Sequence, residues 1–232
     1  MKGSVAAVTG ASGDIGRAIS HDLIRADARV LLVGRNRERL TDVAVRSASP
    51  ENAEVVAADL TCKDGVDHVF ATVERARRLD LLVLGSGIYE RSHTPDSLAR
   101  QFAANVHGPY SLLRRVLPRL VDARGQIIFI NSTQGLAAGR DVDQFAATQH
   151  AMKAIADSLR DEVNPLGVRV ASLFLGRTAT ERQKRIFAGE NRAYAPEKLI
   201  QPQDVSYLVM CMLKLPRTAE ITNVTLRPMQ KT

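Results

Sequence analysis

Thr9-Gly10-Ala11-Ser12-Gly13-Asp14-Ile15-Gly16 decides the fold. It follows the apolar run Val5-Ala6-Ala7-Val8 and opens a stretch with Ile15, Ala18, Ile19 and Leu23 at helical spacing. The run predicts a short buried strand, and the spaced residues predict an amphipathic helix. Between them, glycines let the backbone turn tightly and come close to an anion, which the free N–H groups of the helix start would hold. A glycine-rich turn alone is a weak signal. Its place between the first strand and an amphipathic helix makes it a dinucleotide-binding fingerprint, with Gly10, Ser12, Gly13, Asp14 and Ile15 as pyrophosphate contacts.

Working outward, apolar runs keep alternating with helical patterns. Val30-Leu31-Leu32-Val33, Val55-Val56-Ala57, Leu81-Leu82-Val83-Leu84, Ile127-Ile128-Phe129-Ile130, Val168 to Phe174 and Ile221 to Leu226 read as further strands. Helices are predicted between them. They include one long helix through Leu98, Phe102, Val106, Leu113, Val116 and Leu117, another from about Asp143 to Val163, and one from Asp204 to Lys214. Fully apolar strands alternating with helices predict a parallel sheet covered on both faces: a Rossmann-type, doubly wound α/β fold of three layers. No linker or repeat interrupts residues 1–232, so one domain is expected, with a lid-like segment at about 177–201.

Composition agrees. The 232 residues are 45% apolar and 4% aromatic with no Trp, which suits buried strands better than a base-stacking surface. The formal charge of +7 is spread among 25 acidic residues, and the denser groups (Arg75, Arg77, Arg78; Arg114, Arg115, Arg119) have the spacing of solvated helix faces. Nucleic acid is not required. Cys62 and Cys211 lack metal-ligand spacing, no metal is expected, and Cys211 reads as a buried thiol in an apolar run. No secretory signal precedes the first strand and no apolar run nears ~18 residues, so a cytoplasmic protein off the membrane is expected.

The second strand ends in Gly34-Arg35-Asn36-Arg37. An NAD-selective site needs an acidic residue there for the ribose 2′-hydroxyl. Here no carboxylate repels a 2′-phosphate and Arg35 is placed to pair with one, which favours NADP(H). Asp59-Leu60, ending the third strand, is the expected adenine contact.

These residues resemble the single-domain branch of the short-chain dehydrogenase/reductase family, over nearly the whole chain. The Thr9–Gly16 turn is similar to the family's cofactor turn, with Asp14 where glycine is commonest. Leu84-Gly85-Ser86-Gly87 resembles its Asn-Asn-Ala-Gly segment, which implies a cofactor contact at Gly85. Asn105 matches the helix asparagine that holds a proton-relay water, and Ser132 matches the serine that hydrogen-bonds the substrate carbonyl. Leu175-Gly176-Arg177-Thr178-Ala179-Thr180 resembles the Pro-Gly segment at the nicotinamide end, with Thr178 as the implied contact. The resemblance also implies a homodimer or homotetramer through paired helices around Asn105 and Ala154.

The departure comes thirteen residues after Ser132, where the family carries Tyr and, four further on, Lys. Here those positions hold Phe145 and Gln149. In the family's reaction NADPH gives hydride, the Tyr hydroxyl gives the proton, and the Lys lowers that hydroxyl's pKa and binds the ribose. Phe145 keeps the ring and deletes the acid; Gln149 can still hydrogen-bond the ribose. Losing a general acid costs ~10²–10⁴ in rate. Three readings follow: reduction of a small-molecule carbonyl with the proton from elsewhere, cofactor binding without turnover, or a non-redox reaction in the old pocket. Tyr89 and His93 are the replacement acids to examine, ahead of His150.

Overall fold

The computed structural model describes residues 1–230. Seven strands, β1 (Val5–Thr9), β2 (Arg29–Gly34), β3 (Ala53–Ala57), β4 (Leu81–Leu84), β5 (Gln126–Ser132), β6 (Arg169–Leu175) and β7 (Asn223–Leu226), form one sheet in the order β3-β2-β1-β4-β5-β6-β7. Every pairing is parallel. The chain winds outward from β1 to β3, crosses back, and winds outward again from β4 to β7. The direction reverses between β1 and β4, and a doubly wound sheet binds its ligand in the crevice outside the carboxyl ends of such a pair.

Eight helices connect the strands: α1 (Asp14–Arg25), α2 (Arg37–Val45), α3 (Lys63–Ala76), α4 (Pro95–Phe102), α5 (Gly108–Asp122), α6 (Asp143–Val163), α7 (Glu181–Gly189) and α8 (Pro202–Leu213). Alternate strand residues feed two cores, as the two-residue period requires. Ala6, Val8, Val30, Leu32 and Val83 pack with α1, α2 and α8 through Ile19, Leu23, Leu40, Val205 and Val209. Ala7, Leu31, Val33, Leu82 and Phe129 pack with α3, α5 and α6 through Val69, Val73, Leu113, Val116, Ala156 and Leu159. The three predicted layers are therefore present. Among the described residues no helix is long and apolar enough to cross a membrane.

Two expectations need correction and one a refinement. The long fourth helix is present from Pro95 to Asp122 but not α-helical throughout: α4 and α5 are joined by a π-helical turn, Ala103–His107, that contains Asn105. Hydrophobic spacing alone does not register one extra residue per turn, and such turns are frequent at functional sites. Cys211 is exposed, because α8 turns Val205, Val209 and Met212 to the core and leaves Cys211 on the opposite side. The last strand begins at Asn223 rather than Ile221, since only Asn223 to Leu226 finds a ladder partner on β6.

The turn after β1 is shaped by close backbone contact. Gly10 has φ +72°, and a Cβ there would stand 2.8 Å from the Gly85 carbonyl oxygen; a Cβ on Gly16 would run into the Gly10 carbonyl. Both neighbours are backbone and cannot step aside. Gly16→Ala should therefore lower unfolding free energy by about 2 kcal/mol or more in a denaturant titration. Gly189→Ala, at the open end of α7 where a Cβ meets nothing within 4 Å, should be neutral or stabilising by up to about 1 kcal/mol.

Candidate active site

Helix α1 starts without a cap. Its N-cap, Gly13, offers no side chain, and among the described residues no protein group accepts from the N–H groups of Asp14, Ile15 or Gly16. Uncapped donors at the positive end of a twelve-residue helix form an anion cradle. One predicted contact complicates it. The Asp14 carboxylate lies at this N-terminus, paired with Arg17 at 2.9 Å and accepting the Glu181 N–H of α7 at 2.9 Å.

The loop after β4 is fastened to β1. Thr9 Oγ1 accepts from the N–H groups of Gly85 (3.0 Å) and Ser86 (3.1 Å), which seats Gly85 beside the glycine turn. At the adjacent corner Arg35 is exposed and pairs with no carboxylate among the described residues. Asp59 accepts from the Thr61 N–H (2.9 Å) and hydroxyl (2.8 Å). Partial burial opposes its charge, but the Thr61 bonds and nearby Arg35 outweigh it and hold the carboxyl below the usual range. Leu60 is buried, its carbonyl pressed by Gly108 of α5. Sequence reading passed over Arg39, whose guanidinium donates to the Ser12 carbonyl at 3.0 Å and puts a second cation at this corner. The alternation Arg35, Arg37, Arg39 was the available signal.

Ser132 ends β5, half-buried. Its Oγ accepts the Gln134 N–H at 3.2 Å, which leaves its own proton free to donate. Behind it Asn131 takes the Ser132 N–H at 2.6 Å and donates to the Gln149 carbonyl at 3.1 Å, tying β5 to α6. Asn105 is buried and fully committed: Oδ1 accepts from Ile88 N–H (2.7 Å), and Nδ2 donates to Ile88 O (2.9 Å) and Thr148 Oγ1 (3.1 Å). The side chain fastens the β4 loop to α6. Thr148, which the sequence did not single out, also receives the Gln149 amide at 3.2 Å and donates to the Phe145 carbonyl at 2.7 Å. Beside this network a small cavity of about 20 Å³ is lined by Ser86, Asn105, Asn131 and Gln149 among others. It has room for one water, and Ser86 Oγ is buried there with no partner among the described residues.

Phe145 is half-buried, and Tyr89 meets it edge to face at 5.3 Å between ring centroids. Burial pushes the Tyr89 phenol above its usual pKa, with Arg91 pulling the other way and Glu190 reinforcing the rise. His93 is exposed and sits 3.1 Å from Asp143; His150 is exposed with Nδ1 against the Ala146 carbonyl. Of the three candidate acids, Tyr89 packs on the Phe145 ring. Thr178 is buried, its hydroxyl turned back to the Gly176 carbonyl at 3.1 Å.

The 177–201 segment is ordered around its own small core. Phe187 is buried against Tyr194, with Arg177 and Arg192 stacked on its ring at 4.8 and 4.9 Å. Thr180 caps α7. From the first turn of α7 Arg182 reaches across the crevice to donate to the Gly87 carbonyl. Arg182 is solvent-exposed, and crowding by neighbouring protein atoms, then Arg185, holds its pKa below the usual arginine range.

The family model for short chain dehydrogenases matches residues 4–191. The chain belongs to this family. An uncharacterised oxidoreductase of Staphylococcus epidermidis is 32% identical, covering 98% of each chain. An uncharacterised short-chain type dehydrogenase/reductase of Sinorhizobium fredii is 29% identical over 97% of this chain and 91% of its own. Among solved structures, a metagenomic short-chain oxidoreductase in complex with NADP superposes with a TM-score of 0.82 at 28% identity, covering 99% of each chain. The closed form of a serine dehydrogenase complexed with NADP+ shares the fold, with a TM-score of 0.87, 23% identity, and coverage of 98% of this chain and 96% of that one.

For this short-chain dehydrogenase, Asn105 should matter first as a clamp. Asn105→Ala leaves the Ile88 N–H and carbonyl unpaired, and should lower stability by about 2–3 kcal/mol. Hydrogen exchange at the Ile88 amide should accelerate more than at β1 or β5, which a global loss of stability alone does not produce.

Proposed function

We propose that the chain is an NADPH-dependent carbonyl reductase whose proton comes from a group other than a Tyr–Lys pair. The observation that carries this reading is the Ser132 hydroxyl. Its acceptor side is occupied by the Gln134 N–H, so its one proton remains for a carbonyl oxygen. The uncapped α1 N-terminus fits a dinucleotide pyrophosphate, and Arg35 and Arg39 fit a 2′-phosphate. Bound there, the nicotinamide would supply the hydride. NADP in the metagenomic relative supports the choice, although a 3-ketoacyl-(acyl-carrier-protein) reductase of Brucella melitensis with this fold was crystallised with NADH (TM-score 0.83, 21% identity, 98% of each chain).

On this proposal Ser132 orients the carbonyl and stabilises charge growing on its oxygen, and Phe145 shields that side from water. Gln149, held by Thr148, offers a neutral hydrogen bond in place of a cation. The proton comes from Tyr89 or from an acidic group within the substrate itself. The raised pKa keeps Tyr89 protonated through neutral pH, and makes it a weaker acid than a phenol beside an ammonium. Phe145 and Gln149 also favour a second reading, cofactor binding without turnover.

NADPH should bind at least tenfold tighter than NADH in a fluorescence titration, and Arg35→Ala should remove most of the difference. Equal affinities in the wild type would count against the assignment.

Phe145→Tyr with Gln149→Lys separates the two readings. If the proton comes from elsewhere, the double variant should keep the rate on a phenolic ketone within about tenfold and gain up to ~10²–10⁴ on plain ketones. A wild type that binds NADPH but turns over no ketone, with little gain in the double variant, establishes the non-catalytic reading.

A further inference from the structure

Two contacts cross the crevice at the point where the strand order reverses, and both come from consecutive residues at the start of α7. The Glu181 N–H donates to Asp14 at the first turn of α1, and the Arg182 guanidinium donates to Gly87 after β4. The first pins α7 beside the anion cradle; the second carries a cation from α7 to the loop after β4. Arg182 has no carboxylate within 4 Å among the described residues, unlike its lid neighbours Arg177 and Arg192, which both pair with Glu190. An exposed guanidinium with a single carbonyl for a partner keeps unused donors, and no carboxylate among the described residues answers its charge.

The cradle has the opposite need. Asp14 adds a negative charge to a helix N-terminus suited to two phosphate groups, and Arg17 beside it is already engaged with that carboxylate. A pyrophosphate arriving there meets repulsion unless another cation joins it.

We propose that Arg182 is a pyrophosphate ligand of this chain: on binding, its guanidinium exchanges the Gly87 carbonyl for the phosphate oxygens of the dinucleotide, and so fastens α7 over the crevice. This rests on the dinucleotide reading above. It adds a contact made by the lid rather than by the glycine turn. A planar guanidinium offers paired donors to phosphate, so the interaction depends on both charge and geometry.

The test is calorimetric titration of wild type, Arg182→Gln and Arg182→Lys with NADPH and with adenosine 2′-phosphate, which lacks the pyrophosphate. Arg182→Gln should weaken NADPH at least tenfold, leave adenosine 2′-phosphate within twofold, and make NADPH affinity less sensitive to salt. Arg182→Lys should recover part of the loss. Unchanged NADPH affinity in Arg182→Gln overturns the proposal and assigns the cation to the substrate instead; tighter binding overturns it too, and makes Arg182 an obstruction. Equal loss for both ligands points to damaged folding of the cleft and also overturns it. A wild type that binds adenosine 2′-phosphate but not NADPH overturns the Arg182 assignment while leaving the nucleotide corner standing; one that binds neither overturns the dinucleotide reading itself.

Discussion

Two chain reversals, after β1 and after β4, press backbone against backbone. Gly10 lies against the Gly85 carbonyl, Gly16 against the Gly10 carbonyl, and Thr9 Oγ1 holds the N–H groups of Gly85 and Ser86. Side chains can be repacked, but backbone atoms at van der Waals distance leave no slack. The arrangement sets the gap between β1 and β4, aims the uncapped end of α1, and fixes the start of the loop that Asn105 then clamps. Helices and sheet could form without it. The crevice at their edge could not keep its shape.

How much of this was readable in advance depends on the range of the signal. The strands were legible because parallel strands buried on both faces must be apolar throughout, and the glycine turn because its strand and helix are its neighbours in sequence. Apolar and helical spacing predicted β5 and α6, while Ser132 and Gln149 on them were picked out by the family resemblance. Thr148, Arg39 and Arg182 were missed for the opposite reason. Each acts through a partner far away in the chain: Asn105, Ser12 and Gly87 respectively. A short polar residue on a helix or an arginine on a lid carries no local mark of such a partner. The π turn at Asn105 was hidden too, since one inserted residue barely disturbs hydrophobic spacing over a helix of that length.

The polar groups under the site are neutral. Gln149, Thr148, Asn105 and Asn131 hand hydrogen bonds from α6 to the β4 loop and β5. A buried ammonium in their midst would need compensation for its lost hydration, whereas amides and hydroxyls need only partners, and here they have them. Gln149 therefore sits in a network of neutral partners. Phe145 fits likewise: with no hydroxyl to satisfy, its edge-to-face contact with Tyr89 is sufficient.

The small core around Phe187 has a mechanical consequence. Two guanidinium stacks, the Tyr194 ring and the Thr180 cap bind α7 and the chain after it into one piece. At the base of that piece, Ala179 N–H donates to Ile200 O and Ile200 N–H to Arg177 O. A segment built this way has little freedom to ripple or melt. If the segment moves at all as that one piece, it would turn about the paired base, and entry and exit at the crevice would then share a single gate.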